Sequence, residues 1–366
     1  SDEKIGSIES VIDILVPMDE RTIVTHKKEL RKGGFIVDYK QFLSLGLNMN
    51  IALSGILIKL LGFSKEDLHE SIKNEFNSSE ALSAIDAGYN SVDKKYSFTG
   101  LSRKLTLLSG SHAIAQGAIQ SGIDIYLGYP MTPSTELLHT LASKQKECGH
   151  LVFQPENEIA VVNAALGASY TGAKVMIGTS GGGFDLMTEG LSLQGMTEIP
   201  LVVYLASRPG PGTGVPTYSL QSDLHLALRG GHGEFSRVVI APGDPVECIE
   251  KTNELFYLSE SFGVLSILLG DKHLGESEFS FDRKPNTILP IRVKRKVPGE
   301  LGIVRANSYE HDLDGNTTED IKIIKINAER KLVMYERLKQ ECKKFQMIKL
   351  YGNKKAKNLV IGWGST

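Results

Sequence analysis

The run Ile123-Asp124-Ile125-Tyr126-Leu127-Gly128-Tyr129-Pro130-Met131-Thr132-Pro133-Ser134 decides the fold. Ile123 to Leu127 is largely apolar and reads as a strand. Thr135 to Leu141 reads as the start of an amphipathic helix, spanning Ser134 to Glu147. Between them, Pro130 and Pro133 fix φ on either side of Thr132. A strand that ends in a rigid turn and feeds a helix presents Thr132 at its carboxyl end, where open α/β sheets bind ligands.

The same alternation extends outward across residues 105–275. Helices are expected over Ser111–Ser121, Glu156–Tyr170, Gly181 to about Met196, Leu220–Arg229 and Pro245–Phe262. Strands are expected over Leu151–Gln154, Lys174–Thr179, Pro200–Ala206 and Ser236–Ala241, with Val264–Leu269 as the last. The implied fold class is α/β, a parallel sheet covered on both faces. Ahead of it, residues 1–100 predict a smaller unit. It has strands at Ser10–Val16 and Phe35–Asp38, and a helix at Arg21–Arg31 that Gly33-Gly34 breaks. Helices at Asn50–Leu61, Lys65–Phe76 and Ala81–Tyr89 follow, then a polar linker, Asn90–Leu101. Behind the sheet, residues 276–345 read as a connector with a charged helix, Asn327–Phe345. Residues 346–366 end in Asn358-Leu359-Val360-Ile361-Gly362-Trp363, which reads as the first strand of a domain that the sequence does not complete.

At 366 residues, two or three domains are expected. Lys and Arg number 41 against 43 Asp and Glu, so net charge makes no case for nucleic acid as a partner. No apolar run reads as a membrane span, because Ser54, Gly55 and Lys59 interrupt Ile51–Gly62. The polar start, Ser1-Asp2-Glu3-Lys4, is not a signal peptide, and a cytoplasmic location is expected. Cys148, Cys248 and Cys342 form no C-x-x-C pair, so no metal or cluster site is expected on this chain. All three are expected to be buried and reduced.

Three stretches carry candidate chemistry. Glu156 and Glu158 open a helix, on which Ile159, Val162, Ala165 and Leu166 are expected to share one side. Both acids also suit a helix first turn, where they offset the dipole. Ser180-Gly181-Gly182-Gly183 lies between a strand and a helix and can hold a polar ligand or permit close packing. It lacks the Lys-Ser/Thr of a P-loop. Arg208 enters a Gly/Pro loop that includes Thr217. A guanidinium holds a carboxylate through two parallel hydrogen bonds, and threonine hydroxyls supply neutral donors.

Tyr129-Pro130-Met131-Thr132-Pro133 resembles the Tyr-Pro-Ile-Thr-Pro motif of 2-oxoacid:ferredoxin oxidoreductase α subunits, with Met131 in place of Ile. The Thr179-Ser180-Gly181-Gly182-Gly183 turn is similar to that family's Thr-Ser-Gly-Pro-Gly, with Gly182 in place of Pro. Tyr309-Glu310-His311-Asp312 resembles its connector, and residues 10–90 more loosely resemble its γ domain. The resemblance implies a pyrimidine-binding domain for thiamine diphosphate. A partial γ-type domain would precede it, and the start of a transketolase C-terminal-like domain would follow.

By the same resemblance, Glu158 bonds the aminopyrimidine N1′ and favours the tautomer that activates the cofactor. Pro130, Ser180, Gly181, Gly182 and Gly183 border that cofactor. Arg208, Thr132, Thr217 and Tyr129 surround a 2-oxoacid, with Glu158, Thr132 and Arg208 catalytic. The implied reaction is oxidative decarboxylation of a 2-oxoacid, pyruvate-like or 2-oxoglutarate, with acyl transfer to coenzyme A and electrons passed to ferredoxin. A β subunit would bring Mg2+ and an iron–sulfur cluster, in an αβ or (αβ)2 assembly. An indolepyruvate-type enzyme and a non-catalytic scaffold stay open as alternatives. A dicarboxylic substrate would need a second cation, for which Arg229 and Arg237 are candidates. His232 and Glu234, in the segment between them, read as turn formers.

Overall fold

The computed structural model describes residues 10–76, 78–98, 104–292, 295–299 and 304–366. The chain divides into two compact units, residues 1–104 and 105–366. Parts of the expected linker (99–101) and connector (293, 294 and 300–303) lie outside the described residues.

In the first unit, β1 (Ile12–Leu15) and β2 (Leu30–Ile36) pair in parallel, with a register shift between Ile12 and Ile14. Between them α1 (Glu20–His26) starts at Asp19, whose carboxylate accepts from the Thr22 amide at 2.7 Å. The expected helix to Arg31 stops instead at a 3-10 turn, Lys27–Glu29. Leu30 is drawn into pairing with Ile12, and Arg31 reaches Asp13 at 3.2 Å. Gly33-Gly34 lies inside β2 rather than before it. Gly33, at φ +83°, allows the irregular pairing that an L side chain would strain. The strand ends at Ile36, short of Asp38.

Three helices complete this unit: α2 (Met49–Leu61), α3 (Lys65–Phe76) and α4 (Ser79–Asn90). α2 and α4 cross where Gly55, Ala52 and Gly88 remove side chains. A Cβ on Gly55 would lie 2.5 Å from the Ile85 carbonyl oxygen, and one on Gly88 would overlap that of Ala52. The 3-10 segment Lys40–Asn48 runs into α2, and together they make 22 residues, with an 18-residue stretch of mean hydropathy 1.5, long enough to span a bilayer. Gly46 (φ 52°, ψ −119°) breaks the run, and the 13-residue α2 is short of the ~20 residues a span needs. Its Ile51, Ala52, Leu53, Ile56 and Leu60 are buried against Ala81, Ala84 and Ile85 of α4.

The second unit opens with β3 (Thr106–Ser109) and α5 (Gly110–Gln120). β4 (Ile125–Gly128), α6 (Thr135–Cys148), β5 (Leu151–Phe153), α7 (Glu158–Tyr170) and β6 (Val175–Thr179) follow. Next come α8 (Gly181–Thr197), β7 (Leu201–Ser207), α9 (Leu224–Arg229), β8 (Arg237–Ile240), α10 (Pro245–Phe262) and β9 (Leu265–Asp271). Then come α11 (Lys272–Glu276), β10 (Glu278–Phe281) and α12 (Ile321–Cys342). Six strands form one parallel sheet in the order β5-β4-β6-β7-β9-β8.

Central strands read as unbroken apolar runs because both faces are covered. Tyr126, Met176, Val202, Tyr204 and Leu268 face a core with α5, α6 and α10. Leu127, Ile177, Val203, Leu205 and Ile267 face the other, with α7 and α8. α10 shows the helix signals plainly. Asp244 accepts from the Glu247 amide at 2.9 Å, Pro245 sits at the first position, and Gly263 closes the helix at φ 64°.

Several expectations on this unit are revised. β9 is not the last strand, because β10 pairs antiparallel with β3. The helix expected from Leu220 starts at Leu224, since Gln221 and Ser222 hydrogen-bond elsewhere. The charged helix runs from Ile321 to Cys342, earlier than expected, with Asp320 as its cap. Residues 358–363 form no strand. Leu359, Val360 and Ile361 have no neighbouring strand among the described residues and are 77%, 92% and 86% exposed. Of the cysteines only Cys248 is buried, and Cys148, at the exposed end of α6, is open to solvent.

Candidate functional site

In this sheet the chain passes from β5 on one side of β4 to β6 on the other. That reversal leaves a crevice beyond the carboxyl ends of β4 and β6, where doubly wound sheets hold ligands. The Tyr129–Ser134 turn leaves β4 there. It is locked by Ser134, whose amide and hydroxyl both donate to the Met131 carbonyl, at 2.8 and 2.7 Å. The Thr132–Pro133 peptide is cis. Tyr129 and Pro130 are exposed at the rim, whereas Pro133 and Ser134 are buried.

Arg208 follows β7 and is 8% exposed. Its Nη1 donates to the Thr132 backbone carbonyl at 2.6 Å, so the two candidate residues meet, through the main chain of Thr132. Burial pushes the guanidinium below its ordinary value, and the charge of Asp223 opposes that shift. Asp223 was not singled out in the sequence. It stands at the cap position of α9, yet its carboxylate makes no cap bond. It accepts from the Ser207 hydroxyl at 2.7 Å and from that of Ser222 at 3.1 Å. Its oxygens lie 2.9 Å from where a Cβ on Gly181 would be. Sequence alone cannot separate such a residue from an ordinary cap.

Glu156 and Glu158 part ways. Glu156 is exposed beside Asn157, which caps α7 by accepting from the Ala160 amide at 2.9 Å. Glu158 is the first residue of α7 and is 3% exposed. Its Oε1 is buried without a hydrogen-bond partner, and a Cβ on Gly183 would come within 2.7 Å of it. The Ser180 hydroxyl is likewise buried and unpartnered, at the start of α8. Ile159 does not share the buried side of α7. It is 51% exposed, and Val161 takes the inner place with Val162, Ala165 and Leu166.

Thr217 lies exposed on the loop after Arg208, and its side chain has no hydrogen-bond partner among the described residues. Arg229 and Arg237 are not at this crevice. They line a cleft near the start of β8 and β9, at the opposite end of the sheet. His232 and Glu234 are exposed in the segment between them. Glu310 and His311 hold α12, each accepting from Asn327 Nδ2, at 2.6 Å to Glu310 Oε1 and 2.8 Å to the His311 carbonyl. The sequence also gave no sign that the C-terminal residues reach this end of the sheet. Gln221 Nε2 donates to Asp271 at 2.9 Å and to the Trp363 carbonyl at 3.0 Å, and Ser365 donates to Asp271 at 2.6 Å.

A doubly wound sheet with a buried, unpartnered carboxyl and glycines at its switch-point crevice defines a cofactor-binding α/β domain. The chain belongs to the pyruvate flavodoxin/ferredoxin oxidoreductase family, thiamine diphosphate-binding, whose pattern matches residues 116–339. It is 30% identical over 369 residues to 2-oxoacid:ferredoxin oxidoreductase 1, subunit alpha, of Sulfurisphaera tokodaii. That match covers 91% of this chain and 56% of the relative. It is 38% identical over 182 residues to 2-oxoglutarate synthase subunit KorA of Archaeoglobus fulgidus, covering 50% of this chain and 53% of that one. The chain thus spans about half the length of the curated relatives it matches. A solved 2-oxoglutarate:ferredoxin oxidoreductase from Magnetococcus marinus, with 2-oxoglutarate, coenzyme A and succinyl-CoA bound, shares the fold. Its TM-score is 0.79 at 24% identity, over 93% of this chain and 70% of that one.

The crevice suits the pyrimidine half of thiamine diphosphate. Glu158 Oε1 lacks a partner that a ring nitrogen would supply, and the Ser180 hydroxyl lacks one too.

Proposed function

We propose that this chain is an α-subunit portion of a 2-oxoacid:ferredoxin oxidoreductase. The reaction is the coenzyme A-dependent oxidative decarboxylation of a 2-oxoacid, pyruvate-like or 2-oxoglutarate, with two electrons passed to ferredoxin. The observation that carries it is Glu158, a carboxyl buried without a partner at the head of α7 and against Gly183. Glu158 would hold the pyrimidine N1′, with Pro130, Ser180, Gly181, Gly182 and Gly183 bordering the ring. When bound, the cofactor supplies the carbon nucleophile and electron sink that decarboxylation requires. Arg208 would hold the substrate carboxylate, with Thr132, Thr217 and Tyr129 around the keto group. Its burial strengthens such a pair, because water competes less for the charge.

A β subunit would bring the Mg2+ site, the diphosphate grip and the iron–sulfur cluster, in a cytoplasmic αβ or (αβ)2 enzyme. Residues 1–100 would be a partial γ-type domain, 101–275 the pyrimidine domain, 276–345 a connector, and 346–366 the opening of a C-terminal domain. The test is anaerobic co-expression with the neighbouring β-type subunit. Coenzyme A-dependent viologen reduction is then measured across pyruvate, 2-oxobutyrate, 2-oxoglutarate, indolepyruvate and branched 2-oxoacids. Reduction by the parent complex, lost in Glu158→Gln and Arg208→Ala, is expected. No reduction with any acid, from a complex loaded with clusters and thiamine diphosphate, would leave a scaffold role.

A further inference from the structure

Far from the crevice, a cleft of about 860 Å³ opens between the end of α8, the starts of β8 and β9, and α12. That lies within the range of small-molecule sites, about 300 to 1,000 Å³. One wall is the Arg229–Arg237 segment, which the reaction above does not use.

Its charges do not balance. Arg330 forks onto Glu198 through bonds of 3.1 and 2.6 Å, which neutralises both. Among the lining residues this leaves Arg229, Arg237 and Lys331 against the exposed Glu234 alone. Arg237 is held in place: its guanidinium carbon lies 4.3 Å from the Phe235 ring centroid, and Nη1 donates to the Ala227 carbonyl at 3.2 Å. Its other N–H groups stay available.

The cleft also holds a buried acceptor. Gln194 is 1% exposed, and its Nε2 is spent on the Ile199 and Gly263 carbonyls at 2.8 and 3.2 Å. Its Oε1 is buried and accepts nothing. A buried amide oxygen without a donor costs free energy that a ligand N–H would recover. Phe262 and Tyr335 add aromatic surface.

We infer that this cleft binds a nucleoside phosphate, a site separate from the thiamine crevice. The phosphates lie on Arg229, Arg237 and Lys331, the base lies along the aromatic side chains, and an amino group of the base donates to Gln194. Inorganic phosphate would use only the first of these features.

Calorimetric titration of the full chain with ADP, ATP and inorganic tripolyphosphate tests the inference. Both nucleotides are expected to bind one per chain. Arg229→Glu combined with Lys331→Glu should weaken them at least about tenfold, since two charge-assisted contacts are reversed. Tyr335→Ala, at an exposed position, should weaken the nucleotides and leave tripolyphosphate unchanged. In the assembled complex, thiamine diphosphate binding should persist in both variants, which separates this site from Glu158. No binding at millimolar nucleotide, equal binding of tripolyphosphate, or an unchanged affinity in the folded charge-reversed chain would each overturn it.

Discussion

The two ends of α7 are built on opposite plans. At its C-terminal end nearly every buried polar group is answered. The Ser169 hydroxyl donates to the Pro200 carbonyl at 2.7 Å, and Arg295 donates to the Ser169 and Ala173 carbonyls at 2.8 and 3.2 Å. Arg295 also pairs with Glu260, whose side chain is 4% exposed, and only its Nε lacks a partner. At the N-terminal end, Glu158 and the neighbouring Ser180 keep buried oxygens with no partner at all. A polar group buried and satisfied contributes to the fold; one buried and unsatisfied costs stability and needs another reason to be there. One end of the helix holds the sheet together, and the other carries the candidate ligand site.

The largest test falls on the satisfied end. Arg295→Met removes the partner of a buried carboxylate, a loss of about 3–5 kcal/mol. Burial already pushes the Glu260 carboxyl above its ordinary value, and Arg295 opposes that shift. An acid whose folded pKa is raised binds more protons folded than unfolded, so its stability contribution rises as pH falls through that window. The deficit of Arg295→Met should therefore be greatest near neutral pH and shrink toward acid. Denaturant midpoints at several pH values check this, and a deficit flat with pH would remove Glu260 from the account.

Next in size is Gly183→Ala. Its Cβ would overlap Thr179 Oγ1 and press on Glu158, so we expect a loss of about 1–3 kcal/mol, as for overpacked sites. Because the atoms displaced belong to the crevice, stabilisation of the assembled enzyme by thiamine diphosphate should fall as well. Stability lost with cofactor binding intact would make Gly183 a packing residue only.

How far all this was legible in the sequence depended on distance along the chain. Alternating apolar runs and helix caps are local, so α3 and α10 match the expected bounds and the sheet strands shift by one or two residues. Partnership between distant segments is not local. β3 alone shows only Thr106-Leu107-Leu108-Ser109, and it becomes a strand because Glu278–Phe281 lies beside it. Residues 358–361 have better strand composition and form none, lacking a neighbour among the described residues. Where a motif set the spacing, the residues it singled out are placed as expected along the chain: Thr132 and Arg208 meet through the Thr132 carbonyl, and Glu158 is buried at the head of α7. Asp223 and Gln221 were missed because their roles come from contacts with Ser207 and Asp271, across the loop and the sheet.

Asn157→Ala tests whether the cap and the ligand end can be separated. It removes the bond to the Ala160 amide and should cost about 1 kcal/mol. Glu158 then loses its fixed start of helix, so cofactor affinity should weaken modestly in a thermal-shift titration. Affinity unchanged despite the stability loss would mean that Val161 and Val162 alone anchor the carboxyl.

The smallest expected change in stability is the most telling. Glu158→Gln keeps the shape of the side chain and removes an ionisable group that has no partner at Oε1. The amide fills the same space, so the cofactor-free chain should shift by less than about 1 kcal/mol. The same variant should lose most of its response to thiamine diphosphate, which for a ligand at a hundred times its Kd is about 2.7 kcal/mol. Melting curves of the assembled complex with and without the cofactor separate the two effects. If Glu158→Gln instead destabilises the cofactor-free protein by several kcal/mol, the carboxyl is holding the fold. The two ends of α7 would then follow one plan.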